Sequence, residues 1–487
     1  SLSYIIESYP KKTEYVITLG YFGNQVKEFL NLAYPDRKFI FIDVDNYEGE
    51  GSSLGYSMLK AKNVLNCPFI FHASDTIVDG YKPSLDCNWT GGYKSDNASS
   101  YSSFDVVGNK VSEIKNKGAI DFDYLHIGLV GIKDYKKFWE CLERLYRENP
   151  NDSTLNDCRA INSMIHDGVT FKVREYKTWL DIGNVDGLNN ARNKIESSVV
   201  TLDKVDENIF IFKDFVIKFF YNQSVIKSRV KRADLLGNLV PKIESSGKNF
   251  YRYKYEIGDL YSRVVSPTDF RLFLNWANKY LWKKSSEVTD KKFHKICKKF
   301  YLDKTITRTE KLFEKKNLKD SVNIINGEKV PSIKDILEKI DFNKLSESSQ
   351  TQFHGDLILD NIIKNSHSGY KLIDWRQDFG GLLESGDLYY DLAKLNHNLT
   401  LNHDIINSNQ FTINSQNNYI NVDIMRKENL VSCQEVLYRF IIDNGYDINK
   451  VKLLTAIIWL NMSPLHSHPL DLFLFYFGKL YLWRLVR

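Results

Sequence analysis

The feature that most constrains this 487-residue chain is the run Phe353-His354-Gly355-Asp356-Leu357-Ile358-Leu359-Asp360-Asn361, followed by Leu372-Ile373-Asp374-Trp375. An Asp and an Asn five residues apart on one loop can face a hydroxyl and a metal respectively, while an Asp closing the next strand reaches the metal from the other side. Phosphoryl transfer asks for that set: a carboxylate near the attacking hydroxyl, and oxygen ligands that hold Mg²⁺ on the triphosphate. A turn that happens to read HGD is the ordinary alternative, but it leaves the second motif, at a compatible and strand-linked spacing, without a reason.

Such chemistry also needs a lysine on a strand upstream, and Val216-Ile217-Lys218-Phe219-Phe220 supplies one. The only carboxylate between Lys218 and Pro241 that could pair with it is Asp234, where a Glu would be more usual. These motifs closely resemble the catalytic and metal loops of the aminoglycoside phosphotransferase and choline kinase families. The resemblance implies Asp356 as catalytic base with His354 bracing its loop, Asn361 and Asp374 as Mg²⁺ ligands, and Lys218 on the ATP phosphates. It further implies a hinge at Tyr253-Lys254-Tyr255-Glu256-Ile257-Gly258 whose backbone, at Tyr255, meets adenine. The run Gly386-Asp387-Leu388-Tyr389-Tyr390-Asp391-Leu392-Ala393 would support the site. No Gly-rich run occurs near Lys213-Asp214, so phosphate cover falls to a turn of ordinary residues there.

The first 195 residues have a different rhythm, short apolar runs alternating with amphipathic stretches. Tyr15–Leu19 precedes a helical 25–32, Lys38–Val44 precedes a helical 55–65, and Pro68–His72 ends at Ser74-Asp75. This βαβ pattern predicts a parallel or mixed sheet flanked by helices, with ligands gathered at the carboxyl ends of strands. Gly49-Glu50-Gly51-Ser52-Ser53-Leu54-Gly55 lies between a strand and a helix, where small residues let backbone approach an anionic or flat ligand. Asp75 and Trp179-Leu180-Asp181-Ile182-Gly183-Asn184 place two carboxylates at separate strand ends, and such a pair can share one Mg²⁺.

In order, Gly20-Tyr21, the GxGSSLG stretch, Asp75 and Asp181-Ile182-Gly183 resemble the sugar-1-phosphate nucleotidyltransferases, and among them the compact phosphocholine cytidylyltransferases. That resemblance implies Asp75 and Asp181 as metal ligands, Gly51, Ser52, Ser53 and Gly55 facing the nucleobase, and Lys117 on the substrate phosphate. The family opens with a strand and a Gly-rich triphosphate loop, and Ser1 already stands beyond that element, so a natural start upstream of Ser1 is expected. Asp43-Val44-Asp45 is a DxD, the metal motif of many glycosyltransferases on a related sheet, and gives a third reading for this half.

The fold class expected is therefore α/β: an N-terminal Rossmann-like, GT-A-like nucleotidyltransferase sheet domain over residues 1–198, and a protein-kinase-like bilobal α+β domain over 205–487. The small lobe would span about 205–265 and the large lobe about 266–487, with the polar stretch 196–208 as the junction. Residues 268–344 read as lysine-rich helices, 396–424 as an Asn-rich polar excursion between helices, and 472–486 as a core helix.

With 43% hydrophobic and 26% charged residues the chain is neither disordered nor fibrous, and a net charge of +5 spread over 66 bases and 61 acids excludes a nucleic-acid backbone partner. Six scattered cysteines without a CxxC pair point away from zinc and disulfides, toward buried thiols in a reducing, cytoplasmic setting. No apolar run is long enough to insert in a membrane.

The expected function is bifunctional. ATP phosphorylates a small alcohol or sugar at Asp356, and a nucleotidyl group, from CTP first and UTP next, is then joined to that phosphate to make an activated precursor for cell-surface polysaccharide. The rival from another class is an active kinase fused to a silent nucleotide-binding scaffold. A homo-oligomer is compatible with either.

Overall fold

The computed structural model describes residues 2–79, 84–195, 199–203, 206–365, 369–416 and 418–487, so the expected junction lies partly outside the described residues. The chain forms two compact units of mixed helix and strand. One comprises Ser1–Lys204 with Asn208–Lys213, the other Val205–Glu207 with Asp214–Arg487.

The first unit opens with helix α1 (Leu2–Ser8), strand β1 (Glu14–Leu19), α2 (Gly23–Ala33), β2 (Lys38–Asp43) and α3 (Leu54–Lys60). Strands β3 (Phe69–His72), β4 (Thr76–Val78), β5 (Trp89–Tyr93), β6 (Ser103–Val107), β7 (Lys110–Lys115) and β8 (Tyr124–Ile132) follow. Helices α4 (Tyr135–Glu148) and α5 (Asp157–His166), strands β9 (Lys172–Glu175) and β10 (Trp179–Asp181), and α6 (Val185–Lys194) complete it. Strands β1 and β2 form a separate parallel pair and β4 and β10 an antiparallel one, while β3, β8, β5, β9, β7 and β6 make a mixed six-stranded sheet in that order, with β5–β9 parallel and β8 antiparallel to β3, β5 and β6. Phe138 and Trp139 of α4, each about one turn from Leu142, are buried with it against Phe69, Val130, Ile161 and Phe171, which fixes α4 and α5 on the sheet. Gly131 on β8 has no room for a side chain because the buried Trp89 indole lies where a Cβ would project. Strands β11 (Val200–Asp203) and β12 (Glu207–Ile211) pair antiparallel, and the unit takes in Asn208–Lys213, with the Phe210 and Phe29 ring centroids 4.8 Å apart.

In the second unit β13 (Phe215–Phe220) leads into α7 (Gln223–Leu236), then β14 (Ile243–Ser246) and β15 (Phe250–Lys254), which pair antiparallel with β15 central. After β16 (Asp259–Leu260) come α8 (Tyr261–Val264), α9 (Pro267–Tyr280) and α10 (Asp290–Lys298), a π-helical turn Lys299–Asp303, and α11 (Lys304–Lys316). Strands β17 (Asn323–Ile325) and β18 (Glu328–Val330) precede α12 (Ile333–Glu338) and α13 (Phe342–Ser346). The antiparallel hairpin β19 (Ile362–Asn365) and β20 (Gly369–Leu372) follows the His354-Gly355-Asp356 loop and leads to Asp374. Helix α14 (Leu388–Thr400), α15 (His403–Asn407), strands β21 (Phe411–Gln416) and β22 (Tyr419–Ile424), and α16 (Glu428–Asp443), α17 (Ile448–Met462) and α18 (Leu470–Val486) follow.

Two stretches depart from the sequence reading. The lysine-rich 268–344 is not wholly helical, and the polar 396–424 is not irregular: β18, β17, β22 and β21 form one four-stranded sheet. Asn326-Gly327, both at positive φ, turn the β17–β18 hairpin, and the Asn326 amide bonds Val422 through both its nitrogen and its oxygen at 2.8 Å. The closing helix is a core element, as its composition predicts. Its Lys479 is fully buried and donates to Ser321 O at 2.7 Å and Asn323 Oδ1 at 2.6 Å. Among the described residues no helix is long and apolar enough to cross a membrane. All six cysteines are free, and Cys67 is exposed rather than buried as expected.

Candidate functional site

The HGD loop of the second unit is shaped by backbone bonds. Gly355 adopts φ +86°, and a Cβ there would meet Arg376 and the Phe353 ring, so the turn needs glycine. His354 is fully buried. Its Nδ1 accepts the Asp356 N–H at 3.3 Å, so Nε2 carries the proton and donates to Ile373 O at 2.9 Å. Burial depresses its pKa to about 4, keeping the ring neutral. Through these two bonds His354 ties the Asp356 loop to the strand end that leads to Asp374.

Asn361 donates Nδ2 to Asp356 O at 2.8 Å and to Asp356 Oδ2 at 3.3 Å, leaving Oδ1 as its ligand atom. Its carbonyl accepts the N–H of Ile373 at 2.9 Å, one residue before Asp374. Asp356, Asn361 and Asp374 thus share one platform. Burial alone would raise the Asp356 pKa, but Lys394 on α14, 2.7 Å from Oδ1, outweighs it and holds the carboxyl well below the ordinary range.

Lys218 on β13 is only 2% exposed. It pairs with Asp374 Oδ1 and, at 3.1 Å, with Glu207. The partner expected from sequence, Asp234, is exposed on α7. Helix α7 instead aims Arg229 at Asp374, 3.4 Å away, and the Trp375 indole bonds the Arg229 carbonyl at 2.9 Å. Tyr255 is exposed, and its N–H is already engaged by Asp214 O at 2.9 Å, so that particular backbone donor is committed to the fold. Lys213 and Asp214 belong to the turn before β13, whose carbonyl holds Tyr255.

Arg229 and Arg232 of α7 escaped the sequence reading, whereas Asp387 and Asp391 lie in the run expected to support the site. Arg232, one turn beyond Arg229, is buried and donates to the carbonyls of Leu383 (2.9 Å), Phe353 (2.5 Å), His354 (3.3 Å) and Arg376. Asp391 accepts the N–H groups of His354 at 2.8 Å and Gly355 at 2.7 Å, and burial raises its pKa to about 6. Asp387 caps α14 and bonds Tyr301 and Ser348, each at 2.7 Å. The signal available in sequence was the i, i+3 spacing of Arg229 and Arg232, which puts both on one helix face.

In the first unit Asp75 follows β3 and Asp181 ends β10, which pairs with β4 so that Asp181 lies opposite Thr76. A Cβ on Gly183 would stand 3.1 Å from Asp181 Oδ1 and 3.3 Å from Asp75 Oδ2, so both carboxylates border one small space. The Ile182 N–H donates to Asp75 O at 2.9 Å, the Gly183 N–H to Asp181 Oδ1 at 2.8 Å, and the Tyr101 hydroxyl to Asp181 Oδ2 at 2.7 Å. Burial first, then Asp181 and Asp75, push the Tyr101 pKa up to about 12. No lysine or arginine pairs with either carboxylate among the described residues. Two hard carboxylate oxygens without a basic partner could hold a divalent cation.

The small-residue loop is divided in its roles. Gly51 holds φ +78° and Ser52 closes the turn by bonding Gly49 O at 2.7 Å. Ser53 caps α3 by accepting the Tyr56 N–H at 3.1 Å. Gly55 does not face a ligand as expected: it is buried, and a Cβ would stand 2.5 Å from Leu155, whose carbonyl takes its N–H. Lys117 is exposed in the β7–β8 turn, where Gly118 N–H bonds Ala98 O at 2.9 Å, as does the N–H of Tyr101 at 3.1 Å. The DxD carboxylates are neutralised locally, Asp43 by Lys27 at 2.7 Å and Asp45 by Lys60 at 2.8 Å.

No protein-family model and no curated protein matches the sequence. Solved structures do. The inositol-1-phosphate CTP transferase from T. maritima is 15% identical, with 40% of this chain and 78% of that chain covered at a TM-score of 0.32. The CTP:phosphocholine cytidylyltransferase LicC from Streptococcus pneumoniae is 15% identical over 40% of this chain and 82% of its own, TM-score 0.33. The gentamicin complex of APH(2″)-IIa is 14% identical over 61% of this chain and 95% of its own, TM-score 0.35.

Proposed function

We propose that the chain is a bifunctional transferase. In the second unit ATP phosphorylates a small hydroxylated acceptor; in the first, a nucleotidyl group, from CTP by preference and UTP next, is joined to a phosphate with release of pyrophosphate. The observation that carries the reading is the shared platform of Asp356, Asn361 and Asp374, with Lys218 paired to Asp374. On it Asp356 is an ionised carboxylate able to orient the acceptor hydroxyl and take its proton.

Mg²⁺, when bound, would supply charge neutralisation of the phosphates, with Asn361 Oδ1 and Asp374 as ligands in one unit and Asp75 and Asp181 in the other. Gly51, Ser52 and Ser53 would border the nucleobase and Lys117 the substrate phosphate. Lys218 and Arg229 meet Asp374 in the described state, so the nucleotide phosphates replace that carboxylate as their partner on binding. A role in making an activated precursor of cell-surface polysaccharide, and a cytoplasmic location, complete the proposal.

The test is a pair of assays on one chain. Asp356→Ala abolishes ADP release with acceptor present and leaves pyrophosphate release from CTP and phosphorylated acceptor intact; Asp181→Ala does the reverse. Loss of neither activity in Asp356→Ala would overturn the kinase assignment.

A further inference from the structure

A second group of charges lies near Asp356, through Lys394 and Arg376. The Arg376 side chain packs on Gly355, where an added Cβ would stand 2.7 Å from Arg376 Cβ. Its guanidinium lies 5.2 Å from the Phe300 ring, and Lys304 stands over the same ring at 4.2 Å. Arg308 follows Lys304 by four residues on α11, so the two occupy one helix face. Lys394, from α14, completes the set through its bond to Asp356.

This arrangement is costly as it stands. Like charges at i, i+4 repel, and Lys304, Arg308 and Arg376 form no salt bridge with any carboxylate among the described residues. Only Asp356, already paired with Lys394, and Asp378 bring negative charge to the group, and Arg376 reaches Asp378 through its backbone carbonyl at 2.9 Å. Burial first, and then Arg376, Arg308 and Lys394, push the Lys304 pKa down to about 7. The π-helical turn Lys299–Asp303 sets the direction in which Phe300 and Lys304 project, and such turns recur where helices carry functional groups. Of the aromatic residues that could form a box for a quaternary ammonium, Trp375 and Trp459 are both 1% exposed, in the core, while Tyr390 packs edge-on against Phe300 at 5.1 Å.

We infer that the acceptor phosphorylated beside Asp356 is itself an anion, a small hydroxylated carboxylate or phosphate monoester held by Lys304, Arg308 and Arg376. The inference rests on the phosphotransferase reading and names its substrate class. In the step, the acceptor hydroxyl oxygen bonds the γ-phosphorus of ATP as the bond from that phosphorus to the β,γ-bridging oxygen breaks. The electron pair leaves with ADP, and the hydroxyl proton passes to Asp356. The acceptor's anionic group supplies the counter-charge that the cations lack in the protein alone.

The test uses the full chain with Mg·ATP and four probes of similar size: D-glycerate, sn-glycerol 3-phosphate, glycerol and choline. Thermal shift reads binding, and ADP release reads turnover. One or both anions are expected to raise the Tm and to bind at least tenfold more tightly than glycerol or choline; which anion responds separates carboxylate from phosphate recognition. In Lys304→Met/Arg308→Gln the anion response is expected to fall at least tenfold while the Mg·ATP shift persists. Choline or glycerol binding as well as the anions, or no response to either anion beside a normal Mg·ATP shift, would overturn the inference. Loss of the Mg·ATP shift in the double variant would assign these cations to the nucleotide and overturn it equally. Absence of that shift in the wild type would instead overturn the phosphotransferase reading. The wild-type panel decides without any variant having to fold.

Discussion

The two acidic pairs of this protein are kept in opposite electrostatic states. The Asp181 carboxylate accepts the Gly183 N–H and the Tyr101 hydroxyl, Asp75 takes the Ile182 N–H at its backbone carbonyl, and no lysine or arginine pairs with either carboxylate among the described residues. Asp356 and Asp374 are each occupied by an ammonium or guanidinium, Lys394 on one and Lys218 with Arg229 on the other. An open carboxylate pair favours capture of a free divalent cation. A pair already neutralised favours a ligand that brings its own balancing charges, as a metal–triphosphate complex does, since buried charges are stable only when matched. The same residue type therefore answers to different ligands in the two units.

The largest effect expected is on the second pair: Asp356→Asn lowers ATP-dependent ADP release by roughly 10²- to 10⁴-fold, the usual worth of a positioned proton acceptor. Steady-state kinetics with a responsive acceptor read it, and an unchanged kcat would remove Asp356 from the chemistry. Next is the neutral brace behind it. The folded pKa of His354, about 4, lies below its ordinary 6.5, so its stabilisation is fully present above pH 6.5 and is lost as pH falls through 4. The stability gap between wild type and His354→Asn should shrink by ~3 kcal/mol between pH 7.5 and 4, read by denaturant titration. Asp391, whose raised pKa works in the reverse sense, is common to both proteins and cancels.

On the first pair, Asp181→Ala or Asp75→Ala should reduce pyrophosphate release roughly a hundredfold or more, because hard-oxygen ligation of the metal supplies several kcal/mol of transition-state stabilisation. Added Mg²⁺ should restore part of it in the single variants and none in the double. The smallest effect belongs to Tyr101→Phe: one hydrogen bond is worth about 1 kcal/mol net, and the Mg²⁺ concentration for half-maximal activity should move by roughly tenfold or less. If Tyr101→Phe matched Asp181→Ala, the open-pair description would be wrong.

Local motifs made much of the second unit readable. Spacing alone put Asp356, Asn361 and Asp374 at the two ends of one hairpin, and apolar runs located β13 with Lys218. What escaped was the partner of that lysine, because Glu207 precedes it in the chain while attention falls on the helix that follows. The hairpin β17–β18 escaped for another reason. Its Asn326-Gly327 turn was present in the sequence, yet the surrounding lysines mimic a solvated helix, and strands of three residues carry too little period to compete. Gly55 shows the converse limit: glycine in a small-residue loop signals close approach, but the approaching group is Leu155 rather than a nucleotide.

Sequence by itself determined the inventory: two acidic pairs at strand ends, a strand lysine, and the order of helices and strands that separates them into two units. Only the tertiary structure decided how each charge is balanced, which carboxylates stay open, and that Lys304, Arg308 and Arg376 gather from two distant segments around Asp356. The reason is physical. Periodicity and turn chemistry act over a few residues, whereas Coulomb interactions and burial depend on distance in space, which the chain order does not encode.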